Sequence, residues 1–198
     1  MSETRPNPTP ARTFTTTSSI NACRLRREDL LRLYRIINER QVEYGQLVVN
    51  FVTQLAEETP EQFHERRARL ANSFVTTVNV TGTNGEVVSG SGESFIMSDN
   101  IPEYILTVFY TTMEGPNTIG ITPQMLASKA TLLLDFSKPT LRDFSKLTTG
   151  TDNNSNFSIV STSEPWFTLL HTRLVRFFNE RRTRCGWLHQ AGIYDFYF

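Results

Sequence analysis

The sequence predicts an α+β protein, in which an antiparallel sheet of four to five strands is packed by an N-terminal helical hairpin and a C-terminal helix. Helical periodicity covers residues 28–72 and returns at residues 166–182, whereas much of the chain between them alternates with a period of two. An Asn-Gly pair at 84–85 separates two alternating runs, which predicts an antiparallel hairpin with a tight primed turn, because both turn residues tolerate positive φ. Because the helices come before and after the strands, the order argues against repeated β-α-β units.

Length and composition indicate one domain with an extension at each end. The chain has 198 residues, of which 38% are hydrophobic and 20% are charged, so it can bury a substantial core. Residues 1–13 are rich in Pro, Thr and Ser and are predicted to form a disordered arm. Residues 14–180 are predicted to form a single α+β domain that begins with a strand ending near Ile20. Residues 181–198 form a tail rich in arginine and aromatic residues.

The first helix is predicted over residues 28–56, where one set of positions recurs at alternating spacings of four and three. These positions are Leu30, Tyr34, Ile37, Gln41, Tyr44, Val48, Phe51 and Leu55. The β-branched residues between Leu47 and Val52 leave a short strand open as the alternative for that segment. The heptad spacing also leaves two uses for the stripe. It could form a coiled-coil dimer, or it could pack on the protein's own sheet, which the interruptions at Gln41 and Gly45 favour.

The second helix has a clear start signal and is predicted to run to about residue 72. Thr59 is a candidate N-cap, Pro60 suits the first helical position, and Gln62 completes a capping box. The strands that follow are predicted near residues 74–80, after the Asn-Gly turn, and at 103–113, 128–137 and 156–161. The run at 128–137 has an apolar centre of three consecutive leucines, so we expect it inside the sheet. The last helix carries the apolar stripe Trp166, Leu170, Leu174 and Phe177.

Residue types that carry catalysis or hold metals do not form a recognisable pattern. The histidines at 64, 171 and 189 have no partner at a characteristic spacing, and Cys23 and Cys185 lie far apart without a CxxC motif. The segment SGSGES lacks the lysine of a phosphate-binding loop, and the repeated DFSK around Asp135 and Asp143 is more typical of turns. The sequence therefore predicts that the protein is not an enzyme, and it indicates no catalytic residue, metal site or cofactor.

Charge and cysteine usage restrict the environment and the partners. Twenty basic residues balance twenty acidic ones, so no overall field attracts nucleic acid, and a nucleic-acid partner is not expected. Two isolated cysteines are typical of a reducing compartment. No apolar run reaches the ~18 residues that a membrane helix needs. We therefore expect a cytoplasmic protein or one held at the membrane surface.

The C-terminal tail is the predicted site of function. On a helical wheel Arg181 falls at the centre of the apolar stripe, so the helix is expected to leave the core near residue 179, since a buried unpaired guanidinium is costly. The candidate partner-binding residues are Arg181, Arg182, Arg184, Trp187, Tyr194, Phe196, Tyr197 and Phe198. Arg, Trp and Tyr are the residues that most often anchor interfaces. Two arrangements stay open: the rings fold back on the domain, or they form an exposed patch.

The functional hypothesis is a non-enzymatic interaction module that docks on a protein partner through its C-terminal helix and aromatic tail. One alternative is a peripheral or juxtamembrane module, because arginine and aromatic residues also suit an anionic headgroup region. A second alternative is a sensor that binds a small ligand between sheet and helices. The heptad stripe keeps a homo-oligomer among the expected assemblies.

Overall fold

The computed structural model describes residues 12–20, 23–112, 128–136, 155–182 and 193–197, so most of the predicted N-terminal arm lies outside the described residues. Eight strands and four helices occur in the described part. They are β1 (Phe14–Ser19), β2 (Cys23–Arg26), α1 (Arg27–Phe51), α2 (Pro60–Ser73), β3 (Thr76–Gly82), β4 (Val87–Ser91), α3 (Glu93–Ile96), β5 (Ile105–Thr112), β6 (Ser128–Asp135), β7 (Asn156–Ser161), α4 (Glu164–Glu180) and β8 (Ile193–Tyr197). The predicted α+β class is confirmed.

Six of the strands form one antiparallel sheet in the order β1-β7-β6-β5-β3-β4. The prediction of four to five strands was too low, because β1 and the hairpin strand β4 both join the sheet, one at each edge. Strand β6 lies between β7 and β5, as its apolar sequence predicted. Tyr110, Leu132 and Phe157 are register partners on neighbouring strands, so their side chains share one face of the sheet.

Helix α1 packs along that face with the predicted stripe. Six of its stripe positions, from Leu30 to Val48, are buried. The Tyr110 hydroxyl donates a hydrogen bond to the Leu30 carbonyl oxygen at 3.0 Å, which fixes α1 to β5. The stripe up to Val48 therefore packs within the chain, and these positions are not free to form a coiled coil. The helix ends at Phe51 and not at residue 56, and the strand alternative for 47–52 is wrong.

Gly45 lies where α1 meets the end of α2. A Cβ atom at this position would lie 2.7 Å from Cβ and Cγ of Phe74, closer than carbon atoms can approach. The neighbouring Tyr44 ring meets Phe74 edge-on, with 5.7 Å between the ring centroids. The glycine that interrupts the helical pattern thus permits close packing, and α1 continues through it.

The signals for α2 and for the hairpin are confirmed with one correction. The Thr59 Oγ1 accepts from the Gln62 backbone N–H at 3.3 Å, and the Gln62 Oε1 accepts from the Thr59 backbone N–H at 3.0 Å, which completes the capping box.

At the β3–β4 turn only Gly85 has a positive φ, at 85°. A primed two-residue turn needs positive φ at Asn84 as well, so that expectation is wrong. The turn is a three-residue loop closed by a hydrogen bond from the Gly82 N–H to the Glu86 carbonyl oxygen at 2.8 Å.

Helix α4 lies on the same side of the sheet and runs antiparallel to α1. The Phe178 ring stacks on Phe157 of β7 at 6.3 Å between centroids. The Trp166 indole N–H donates to the Arg40 carbonyl oxygen at 2.8 Å, and the Arg173 guanidinium lies 2.7 Å from a Glu39 carboxylate oxygen. The start of α4 therefore lies beside the second half of α1, and its end approaches the start of α1.

Candidate functional site

The predicted partner-binding residues occupy the end of α4 and strand β8. Arg181 and Arg182 follow α4 directly, and Tyr194, Phe196 and Tyr197 belong to β8. Arg184, Trp187 and Phe198 lie outside the described residues. The described part of the predicted site therefore consists of two separate segments, one directly after α4 and one in β8.

Arg181 remains packed against the domain. Helix α4 ends at Glu180, close to the expected residue 179, but the Arg181 side chain is only 15% exposed. Its Nε donates to the Asp29 Oδ1 at 2.6 Å, and an Nη donates to the Phe177 carbonyl oxygen at 3.1 Å. The guanidinium carbon lies 3.8 Å from the centroid of the Phe177 ring. The expectation that the chain leaves the core before Arg181 is wrong because the guanidinium is paired and stacked.

Asp29 is the partner that sequence reasoning missed. It lies in the first turn of α1, where a carboxylate is favoured by the helix dipole, and its Oδ2 accepts from the Arg26 backbone N–H at 2.9 Å. One carboxylate therefore caps α1 and holds Arg181, and we call the pair Asp29–Arg181 the clamp. The acidic first turn was visible in the sequence, but nothing in it links two residues that are 152 positions apart.

Cys23 lies beside the clamp and is fully buried. Burial raises the pKa of its thiol to about 12, and the nearby Arg181 charge offsets only part of that rise. The thiol is therefore protonated near neutral pH and is a poor nucleophile or metal ligand. The backbone of Arg182 forms an antiparallel bridge with Cys23, so the chain leaving α4 runs next to β2.

Strand β8 pairs with β2 in a separate, parallel two-stranded sheet. The register aligns Leu25 with Phe196 and Arg26 with Tyr197, with an irregularity next to Cys23. The sequence left open whether the tail folds back on the domain or forms an exposed patch. The backbone of residues 193–197 folds back, because it pairs with β2. The other edge of β8 pairs with no strand in the described part of the chain. Backbone N–H and C=O groups along such an edge can pair with a further strand.

The outer side of α4 carries a recess of about 580 Å³ that is open to solvent. It is lined by His171, Thr172, Val175, Arg176, Asn179 and Glu180. The His171 ring stacks on Phe167 with 6.1 Å between centroids and lies 5.9 Å from the Phe157 ring. The His171 side chain is half-buried. The recess is open, whereas the sensor hypothesis requires an enclosed apolar pocket.

The described residues contain no candidate metal site and no candidate membrane-spanning helix. No group of three or more His, Cys, Asp or Glu side chains among them is arranged to hold a metal ion. None of the helices in that part of the chain is long and apolar enough to cross a membrane. Comparison with protein-family models, with curated proteins and with solved structures found no match.

Proposed function

We propose that the protein is a non-enzymatic interaction module that binds a protein partner through the end of α4 and strand β8. The observation that carries the proposal is the separate sheet of β2 and β8, whose β8 edge meets no described strand. Two-stranded sheets are marginally stable alone. A strand from a partner would extend this sheet through backbone hydrogen bonds, which is an established mode of peptide recognition.

The clamp supports this proposal because it fixes the base of the tail. Arg181 is held by Asp29, by the Phe177 carbonyl oxygen and by the Phe177 ring. The chain therefore leaves α4 in one direction, towards β2, and the adjacent Arg182 is exposed. A surface that is already ordered loses less entropy on binding and so binds more tightly.

The contact side chains in this proposal are the predicted ones, with one change of role. Arg181 becomes a positioning residue, because its guanidinium is used inside the domain. The contact residues are Arg182, Arg184, Trp187, Tyr194, Phe196, Tyr197 and Phe198. Main-chain pairing with β8 would supply affinity, and these side chains would supply specificity.

The proposal is tested by comparing proteins retained by the full chain with those retained by the double variant Arg182→Glu/Tyr194→Pro. Proline in β8 removes a backbone donor and should abolish partner binding, whereas Arg176→Glu, an exposed change on α4, should retain it. Retained proteins are identified by mass spectrometry and then tested in pure form. Identical binding by the double variant, with a native melting curve, would overturn the proposal.

The same variants separate the alternatives. Sedimentation of the full chain with phosphatidylserine vesicles, lost on Arg182→Glu and weakened by salt, would instead support the peripheral membrane hypothesis. A gain in melting temperature with a small molecule, unaffected by changes in β8, would support the sensor hypothesis.

A further inference from the structure

Strand β4 forms one edge of the six-stranded sheet, and a groove of about 720 Å³ lies beside it. Its lining includes Val88 and Ser89 of β4 and residues 99–103, which lie between α3 and β5. Adjacent residues of a strand point to opposite faces of the sheet, and β3 occupies the other edge of β4. A groove that touches both Val88 and Ser89 therefore reaches the free edge of β4, and we call it the β4 groove.

The free edge of β4 presents backbone hydrogen-bonding groups. The Gly82 N–H donates to the Glu86 carbonyl oxygen at 2.8 Å, and pairs in an antiparallel ladder alternate between bonded and non-bonded from that point. Three residues of β4 therefore direct their N–H and C=O groups away from β3. They are Val87, Ser89 and Ser91. In the described part of the chain these groups bond to no other backbone group, so a further strand can pair with them.

The β4 groove is acidic. Glu86, Asp99 and Glu103 line it, and all three are exposed. No lysine, arginine or histidine occurs in residues 76–112. Arg27 of α1 approaches this segment, but its guanidinium donates to two backbone carbonyl oxygens. None of the three carboxylates forms an ion pair with any residue that the structure describes. The charge of the groove is therefore complementary to a cationic occupant.

The floor of the groove is apolar and held in place by the domain. Phe95 lies over Gly90 so closely that a Cβ atom on the glycine would overlap the ring. Ile101 is buried in the core. At the end of β4 the Gly92 N–H donates to the Tyr34 hydroxyl of α1 at 2.9 Å. Because the groove is already formed, an extended chain that binds in it orders little of the protein.

We infer that the β4 groove binds an extended basic peptide of a partner protein, which joins the sheet as a strand beside β4. Backbone pairing with the free edge supplies affinity, an apolar side chain packs on Phe95, and lysine or arginine side chains reach Glu86, Asp99 and Glu103. A second copy of β4 does not suit this site, because it would bring identical carboxylates together. The site is distinct from the β8 edge, which belongs to the other sheet.

The test is binding of a blocked fluorescent peptide, TRTVTRT, to the full chain, measured by fluorescence anisotropy. In an extended chain its two arginines and its valine share one face. We expect saturable binding with a Kd of about 100 μM or lower, weakened by at least about fivefold between low salt and 0.5 M salt. The peptide TETVTET should not bind. The double variant Asp99→Asn/Glu103→Gln should lower the affinity by about tenfold, because it removes two of the carboxylates.

Proline substitution distinguishes strand pairing from attraction of charges alone. Ser89→Pro removes an N–H that points away from β3, so the hairpin should fold while peptide binding is lost. The matched control is Thr17→Pro on β1, at the opposite edge of the sheet, which should bind like the wild type. Melting curves check the fold of both variants.

The peptide provides a second test that does not depend on a folded variant. N-methylation at alternate residues, prepared in both phases, should leave binding in at most one phase, because only one phase spares the groups that pair with β4. Absence of saturable binding at about 1 mM peptide would overturn the inference. Equal binding of TETVTET, of both methylated phases, or by folded Ser89→Pro would overturn it as well.

Discussion

The two ends of the α1–α4 helix pair differ in what they bury. At one end, Arg181 lies on the apolar stripe of α4 and its side chain is 15% exposed, held by Asp29 and stacked on Phe177. At the other end, Phe51 lies on the apolar stripe of α1 and is 68% exposed. Residue type alone would assign the opposite environments. Burial here depends on whether a neighbouring element is present and whether it supplies a partner.

The same contrast separates two neighbouring residues of one stripe. Val48 is 5% exposed and lies three residues before Phe51. Residues 44–56 contain no charged residue, and they include Gly45, where α1 meets Phe74. The covered and uncovered parts of α1 therefore meet within two helical turns, and substitutions on either side should have very different effects.

Val48→Asp should have the largest effect on stability. It places a carboxylate at a position that is only 5% exposed, and should lower the free energy of unfolding by about 3 kcal/mol or more. Asn50→Asp is the matched control, because Asn50 is exposed and accepts from Arg67 at 3.3 Å. Its effect should stay within about 0.5 kcal/mol. Equal urea midpoints for the two variants would contradict the assigned helical phase.

Arg181→Ala should have the next largest effect, about 2 kcal/mol, because it leaves the Asp29 carboxylate without its guanidinium and uncovers the Phe177 ring. Arg176→Ala, whose side chain is 80% exposed and paired with Glu180, should leave the urea midpoint unchanged. A double-mutant cycle of Arg181→Ala with Asp29→Asn measures the coupling. Additive effects in that cycle would show that the clamp contributes little.

Gly45→Ala should destabilise the protein by about 1 kcal/mol, although alanine favours helix by a similar amount over glycine. The reason is the 2.7 Å approach of a new Cβ atom to Phe74. Phe74→Leu combined with Gly45→Ala should recover part of the loss, because a smaller side chain relieves the contact. A higher melting temperature for Gly45→Ala alone would mean that Phe74 can move away.

The smallest effect should come from Cys23 and should appear only at alkaline pH. Its pKa is about 12 in the folded protein and 9.0 in a solvated thiol, so the unfolded chain loses this proton first as the pH rises. Stability from this group is therefore constant below pH 9 and falls above it, by about 1 kcal/mol between pH 9 and pH 10. Urea titrations of wild type and Cys23→Ala should show a shallower pH dependence for the variant. Equal slopes would mean that the thiol is not shielded from water.

Local patterns in the sequence were sufficient for most elements. The capping box at Thr59 and Gln62, the helical stripe from Leu30 to Val48 and the hairpin before Val87 depend on residues close together in the chain. Their interactions can be inferred from spacing alone. The prediction of a primed turn at Asn84 was wrong, because Asn-Gly also suits a type I turn followed by a glycine with positive φ.

The candidate site was less predictable, because it depends on contacts between distant residues. The sequence identified the tail by its arginines and rings, and it identified Arg181 as anomalous on its wheel. It could not show that Asp29 neutralises Arg181, or that β8 pairs with β2. A long-range ion pair and a parallel strand pairing leave no local pattern in either partner.

By itself, the sequence determined the α+β class, the order of the elements other than β2, α3 and β8, and which side of α1 would be apolar, because periodicity and capping are properties of neighbouring residues. The tertiary structure alone decided where each apolar stripe is covered. Trp166 of α4 contacts Arg40 and Tyr44 of α1, and beyond these contacts Val48 is still enclosed whereas Phe51 is not. Whether a side chain is buried depends on the length and position of the element opposite it, and that information lies more than a hundred residues away in the chain.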